Sequence, residues 1–171
     1  MGVPSDLSIR PARDEDFDAL WPVLRSVIRA GDTYAVDPRM SRGRAFEWWM
    51  QVPRATYVAE RDGEIAGTYY LKANQQGGGA HVCNCGYIVA VPAQGRGVAR
   101  AMCRHSQAVA RDLGFRAMQF NFVVETNVGA IALWKSLGFG TVGRLPGVFD
   151  HPQHGLVDAL IMLKWLDGED G

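Results

Sequence analysis

Gln94-Gly95-Arg96-Gly97-Val98-Ala99 has the composition of a phosphate cradle. Gly95 and Gly97 lack a Cβ, so successive backbone N–H groups can turn toward one point and approach a ligand closely. A helix opening just after the loop would add its partial positive charge, about 0.3–1 kcal/mol at an exposed site. Arg96 and Arg100 can add cationic side chains for the same group. A pyrophosphate fits this description. A Walker loop would end in Gly-Lys-Ser/Thr, which is missing, and Arg100 stands where the dinucleotide fingerprint needs a third glycine. Taken alone, the loop also fits a turn that merely reverses the chain, so a second motif must decide.

Two amides supply polar chemistry of another kind. Asn84 lies in Val82-Cys83-Asn84-Cys85-Gly86-Tyr87 and Asn121 in Gln119-Phe120-Asn121-Phe122, each among apolar neighbours on an expected strand. A buried amide without partners costs roughly 1–3 kcal/mol. Both side chains should therefore be bonded, either to backbone where two strands separate or to a substrate that they anchor and orient. Neither can act as a base at neutral pH. Glu125 is expected at a strand end and His81 at a strand start, so no carboxylate or histidine falls obviously between the two amides. Proton removal through ordered water and capture of an already neutral amine both stay open.

The second motif is Asn127-Val128-Gly129-Ala130-Ile131-Ala132-Leu133-Trp134-Lys135-Ser136-Leu137-Gly138-Phe139. Together with the loop about 30 residues earlier, it resembles the GCN5-related N-acetyltransferases (GNAT family). Their signatures read Gln/Arg-x-x-Gly-x-Gly/Ala and Asn-x-x-Ala-x-x-Leu-Tyr-x-x-x-Gly-Phe. The resemblance implies acetyl-CoA as cosubstrate and direct acetyl transfer to an amine. Backbone amides from Gln94 to Ala99 would hold the CoA pyrophosphate, with Arg100 beside them. The main chain of Ile88, Val89, Ala90 and Val91 would pair with the pantetheine arm, as in strand addition, and Asn127 would bond that arm, cap a helix, or do both.

Two positions depart from the family pattern. The usual proline is displaced by one place, to Pro92, and Trp134 replaces the tyrosine that commonly protonates the leaving thiolate. An indole N–H is too weak an acid for that role, so Trp134 is expected to pack the helix or line the acyl pocket. Asn84, Asn121 and Asn127 are also similar to asparagines of the yeast acetyltransferases that detoxify azetidine-2-carboxylate, which implies a proline-like cyclic amino acid as acceptor. Acetylation of a protein or peptide amine, and a non-catalytic acyl-CoA-binding module, stand as alternatives.

Elements must position these residues. Apolar Phe17, Leu20, Leu24, Val27 and Ile28 fall at helical spacing after a short strand, Leu7 to Arg10, and a second short helix carries Phe46, Trp48, Trp49 and Met50. Asp62-Gly63 turns a hairpin between Ala55 to Glu60 and Ile65 to Lys72. Val82 to Val91, the loop, a helix from Gly97 to Leu113, a strand from Ala117 to Val124 and a helix from Val128 to Leu137 follow. Phe139 to Leu145 and Val157 to Lys164 form a last strand pair around a loop rich in Pro, Gly and His. The order βααβββαβαββ predicts an α/β fold over 1–171 as one domain, a mixed sheet of about seven strands with about four helices on both faces. Tyr34, Trp49 and Phe149 are the expected substrate wall.

With 171 residues, 47% hydrophobic, the chain has enough apolar material for one core. Eighteen basic and eighteen acidic residues leave no global field for nucleic acid or an acidic membrane. Cys83, Cys85 and Cys103 lack metal-ligand spacing and read as reduced, buried thiols, so no metal is expected. With Cys83 and Cys85 facing away from Asn84, an acetyl-cysteine route is rejected. Met1 to Asp6 shows no leader pattern and no run reaches membrane-span length, so a cytoplasmic protein is expected, with a homodimer as the guess for assembly.

Overall fold

The structure is a computed structural model and describes residues 6–168. Apart from Asp6, the segment read for a leader lies outside that range. The chain order is β1 (Leu7–Pro11), α1 (Phe17–Ala30), α2 (Arg42–Phe46), β2 (Ala55–Arg61), β3 (Glu64–Ala73), β4 (Val82–Val89), α3 (Val98–Asp112), β5 (Ala117–Val124), α4 (Val128–Ser136), β6 (Gly140–His151) and β7 (Gly155–Trp165). One seven-stranded sheet runs β1-β2-β3-β4-β5-β7-β6. This is the expected α/β fold.

Helices α1 and α3 turn a periodic apolar face to the sheet. Phe17, Leu20, Leu24 and Ile28 of α1 are buried, and Gly31 closes the helix at φ 64°. With α2 and its π-turn extension Glu47–Gln51, α1 covers a core on one face that contains Trp49, Val58, Tyr70 and Ile88. Helices α3 and α4 cover the other face, over Cys83, Cys85, Met102, Phe120 and Trp134. Asp62 (φ 53°) and Gly63 (φ 77°) turn the β2–β3 hairpin as their chemistry predicts.

The feature that makes a site is a fork. All neighbouring strands are antiparallel except β4 and β5, which are parallel and pair only at Val82↔Ala117 and Cys83↔Met118. Beyond those two steps they separate. On its other side, β5 bulges against β7 between Phe120 and Val123, bending it away from β4 at Asn121 and Phe122.

Two boundaries differ from expectation. The strand read to Val91 ends at Val89, and Val91–Ala93 forms a 3-10 turn with Pro92 near its start, so the displaced proline is absorbed by tightening the turn. The Pro/Gly-rich loop of the last hairpin is mostly strand: β6 runs to His151 and β7 begins at Gly155. Pro146 and Gly147 sit in an irregularity of β6 between Leu145 and Phe149, on an edge strand where a missing N–H is tolerated. Gly147, at φ 61°, donates its N–H to Asp158 Oδ1 at 2.9 Å.

Candidate active site

The fork opens into a cleft of about 970 Å³. Its one end is the loop before α3. Gly95 and Gly97 adopt φ 72° and 78°, Gly97 is the N-cap of α3, and a Cβ at either would meet nothing within 4 Å. Open space above left-handed glycines at a helix N-terminus is a cradle that suits a pyrophosphate. Gln94, Gly95, Gly97, Val98, Ala99 and Arg100 line the cleft there. Arg100 also donates to Ser136 Oγ at 3.1 Å, tying α3 to α4. The Arg96 side chain is exposed beside the loop and does not line the cleft.

Along β4 the two-residue alternation decides which main-chain groups face the fork. The Ala90 N–H donates to the Ala66 carbonyl at 2.9 Å, so Ile88 and Ala90 turn their main chain to β3, and Tyr87 and Val89 turn theirs to the cleft. Of the expected run Ile88 to Val91, Val89 is thus the strand residue with main-chain groups free toward a bound arm; Val91 already belongs to the turn. Asn127 Oδ1 accepts the Ala130 N–H at 3.4 Å, capping α4, and the residue also borders the cleft. Trp134 is buried and lines the cleft, its ring 5.1 Å from that of Tyr87 and 5.0 Å from that of Phe120.

Asn84 sits at the crotch of the fork. Its Nδ2 donates to the Gln119 carbonyl at 3.0 Å, the group one step past the last β4–β5 ladder pair, and its Oδ1 accepts from the Tyr70 hydroxyl at 3.4 Å. Asn121 departs from the expected buried amide: it is exposed at the cleft's rim. The β5 bulge turns it outward, where Nδ2 donates to Asn74 Oδ1 (2.6 Å) and Oδ1 accepts from Gln119 Nε2 (3.0 Å).

Of the three expected wall residues, Tyr34 lines the cleft and donates its hydroxyl to the Tyr87 carbonyl at 2.9 Å. Trp49 and Phe149 do not line it. Trp49 is fully buried, with its indole N–H donated to Thr68 Oγ1 at 2.9 Å, and so belongs to the core beneath α2. Phe149 is buried against Val124 and Val157 and stands behind the Phe122 ring at 6.0 Å. Tyr70, Lys72, Asn74, Gln119 and Tyr87 were missed by sequence reasoning. Tyr70 and Lys72 were readable as alternate positions of β3, with Asn74 just past its end, but only the register Lys72↔Asn84 places them beside the fork.

Burial sets the electrostatics. It pushes the Tyr34 and Tyr87 hydroxyls well above the usual range and Tyr70 to about 12, so all three are protonated donors at neutral pH. Burial likewise raises the Cys85 thiol, which argues against a thiolate nucleophile. Glu125 accepts the Asp158 N–H (2.9 Å) and pairs with Arg144 (2.6 Å), and His81 stacks on Trp165; neither lines the cleft. Among the described residues no group of three or more His, Cys, Asp or Glu could hold a metal, and no helix is long and apolar enough to cross a membrane.

The sequence profile of the acetyltransferase (GNAT) family matches residues 21–139. A solved GCN5-related N-acetyltransferase from Kribbella flavida is 42% identical and superposes with a TM-score of 0.91, covering 95% of this chain and 99% of that one. The N-acetyltransferase aca1 of Schizosaccharomyces pombe is 28% identical over 166 residues, 87% of this chain and 79% of the relative. A GNAT superfamily phosphinothricin acetyltransferase from Sinorhizobium meliloti, solved in complex with acetyl-CoA, shares the fold at 20% identity with a TM-score of 0.81, covering 94% and 88%.

Proposed function

The chain belongs to the GCN5-related N-acetyltransferase family and acts with acetyl-CoA, and from that premise we propose that its acceptor is a small-molecule amine that attacks the thioester directly. The observation that carries this reading is the roof of the cleft's far end. Tyr34 is fastened to the Tyr87 carbonyl and braced edge-on by Trp48 at 5.6 Å and Trp49 at 6.2 Å, so the segment between α1 and α2 overhangs the fork. A small ligand fits under such an overhang more readily than a protein segment. A proline-like cyclic amino acid is the first candidate, on the likeness of Asn84, Asn121 and Asn127 to the proline-analogue acetyltransferases.

The glycine cradle and the α3 N-terminus would hold the pyrophosphate, and the free main chain of Val89 would hold the pantetheine arm. Acetyl-CoA supplies an acyl group activated as a thioester. The acceptor nitrogen must arrive neutral; it forms the C–N bond as the C–S bond breaks, and the proton it loses passes through water and balances the one the departing sulfur gains. The hydroxyls of Tyr34 and Tyr70 stay protonated at the fork and act as hydrogen-bond donors, to the Tyr87 carbonyl and to Asn84; with Trp134 in the place of the family's tyrosine, the sulfur's proton comes through water. Asn84 holds the fork open at a fixed width and thereby sets the room for both reactants.

The test is release of CoA thiol from acetyl-CoA with cyclic amino acids, primary amino acids, polyamines and peptides. Amine-dependent release with the small acceptors is expected. Tight acetyl-CoA binding without any amine-dependent release would make the protein a binding module, and release with peptides alone would move the acceptor to a protein.

A further inference from the structure

The cleft is unusual in its charges. Among the described residues no Asp or Glu lines it, and its cations are Arg100 at the phosphate end and Lys72 at the other. Lys72 stands directly across the β3–β4 ladder from Asn84. From Asn84 to Val89 the strand advances five residues, roughly 17 Å, so the two cations serve different ends of the site. The Lys72 ammonium lies over the Tyr70 ring, 5.4 Å from its centroid, and among the described residues it forms no ion pair. The side chain is half-buried and lines the cleft.

We propose that Lys72 seats a carboxylate of the acceptor, so that the enzyme acetylates amines of the amino-acid class and rejects polycations. This rests on the small-molecule reading above. A polyamine or aminoglycoside would bring several ammonium groups into a cleft with no carboxylate to receive them and one lysine to repel them. An amino acid brings one anion, which Lys72 can pair, and one amine, which sits beside the Tyr70 and Asn84 pair. Tyr70 takes part twice: its ring face supports the ammonium and its hydroxyl bonds Asn84.

The experiment compares wild type, Lys72→Met and Lys72→Glu on L-proline, L-prolinamide and pyrrolidine, on L-alanine, L-alaninamide and ethylamine, and on spermidine. Wild type should prefer each acid over its amide by about tenfold or more in kcat/KM. Lys72→Met should erase the preference through KM, and Lys72→Glu should reverse it. Acetyl-CoA affinity should be unchanged in both variants, which reports an intact fold and cofactor end. An acid-to-amide ratio that Lys72→Met leaves untouched, or wild-type turnover of spermidine equal to that of proline, overturns the proposal while leaving small-molecule acetylation standing. Calorimetric binding of N-acetyl-L-proline and N-acetyl-L-prolinamide with CoA present gives a second readout that needs no turnover. Preference for the acid that vanishes in Lys72→Met supports the carboxylate seat even if the turnover panel is silent, whereas equal binding, or none, overturns it.

Discussion

Asn84 Nδ2 reaches the Gln119 carbonyl one step beyond the last main-chain pair of the two parallel strands. A backbone carbonyl left open there would cost roughly 1–3 kcal/mol, so a side-chain amide in the ladder's place lets the strands part without leaving that group unpaired. Gly97 serves the other end by conformation. Its φ of 78° is one that L-residues adopt only under strain, of order 1–3 kcal/mol, and its Cβ position opens onto empty space, where we propose the pyrophosphate sits. Gly97→Val should therefore weaken acetyl-CoA affinity by about tenfold or more beyond any loss of stability. Gly114, at φ 87° with equally open space but at the far end of α3, separates the two effects. Gly114→Val should lower the melting temperature comparably and leave affinity alone. Titration of acetyl-CoA into both variants checks this; equal losses of affinity would remove the loop from the cofactor site.

The elements are held to one another by a few charged knots, and the most enclosed joins β1, β2 and the entry to α1. Asp16 receives both Arg10 NH groups at 2.8 Å and the Arg13 N–H at 2.6 Å, and Arg10 also grips Glu60 at 2.7 Å. The bond from the Arg10 guanidinium, more than any other cause, holds the Asp16 carboxyl below its ordinary value of 3.8. A carboxyl depressed in the folded state contributes stability that is complete above the unfolded value and is lost as pH falls through the folded one. Asp16→Asn should cost about 1 kcal/mol at pH 7, roughly 2–4 °C in Tm for a chain of this size, and close to nothing once wild-type Asp16 is itself protonated. Thermal melts from pH 7 downward would show the two curves converging; a constant gap would mean that the charge is immaterial. Such knots were invisible in the sequence because they depend on which strands become neighbours. What was legible was local: the positive-φ glycines, the Asn127 cap, the periodic face of α1 and the Asp62-Gly63 turn are each decided within a few residues. Trp49 and Phe149 were misplaced because an aromatic ring near a site looks the same in sequence whether it faces ligand or core. Pro146 and Gly147 read as loop because a strand can absorb them only at an edge with a partner for the freed N–H, here Asp158.

Over the whole molecule, charges balance at eighteen of each sign, yet among the described residues no carboxylate and no histidine lines the cleft. Glu125 and Asp158, the carboxylates nearest the end of β5, pair with Arg144 at the rim of the sheet. The cleft tyrosines and Cys85 are held protonated by burial, and Tyr70 does not ionise until about 12. No side chain of the cleft is thus built to take a proton near neutral pH, and the enzyme should act on whatever fraction of the acceptor is already the free base. The logarithm of kcat/KM should then climb with pH at a slope of about one and level off at the acceptor's own amine pKa. Exchanging the acceptor for one with a less basic nitrogen should move that break downward by the difference between the two amines. A break that stays fixed between pH 6 and about 8 whichever acceptor is used would instead belong to an enzyme base, and would mean that a carboxylate or histidine now outside the cleft reaches it when both substrates are bound.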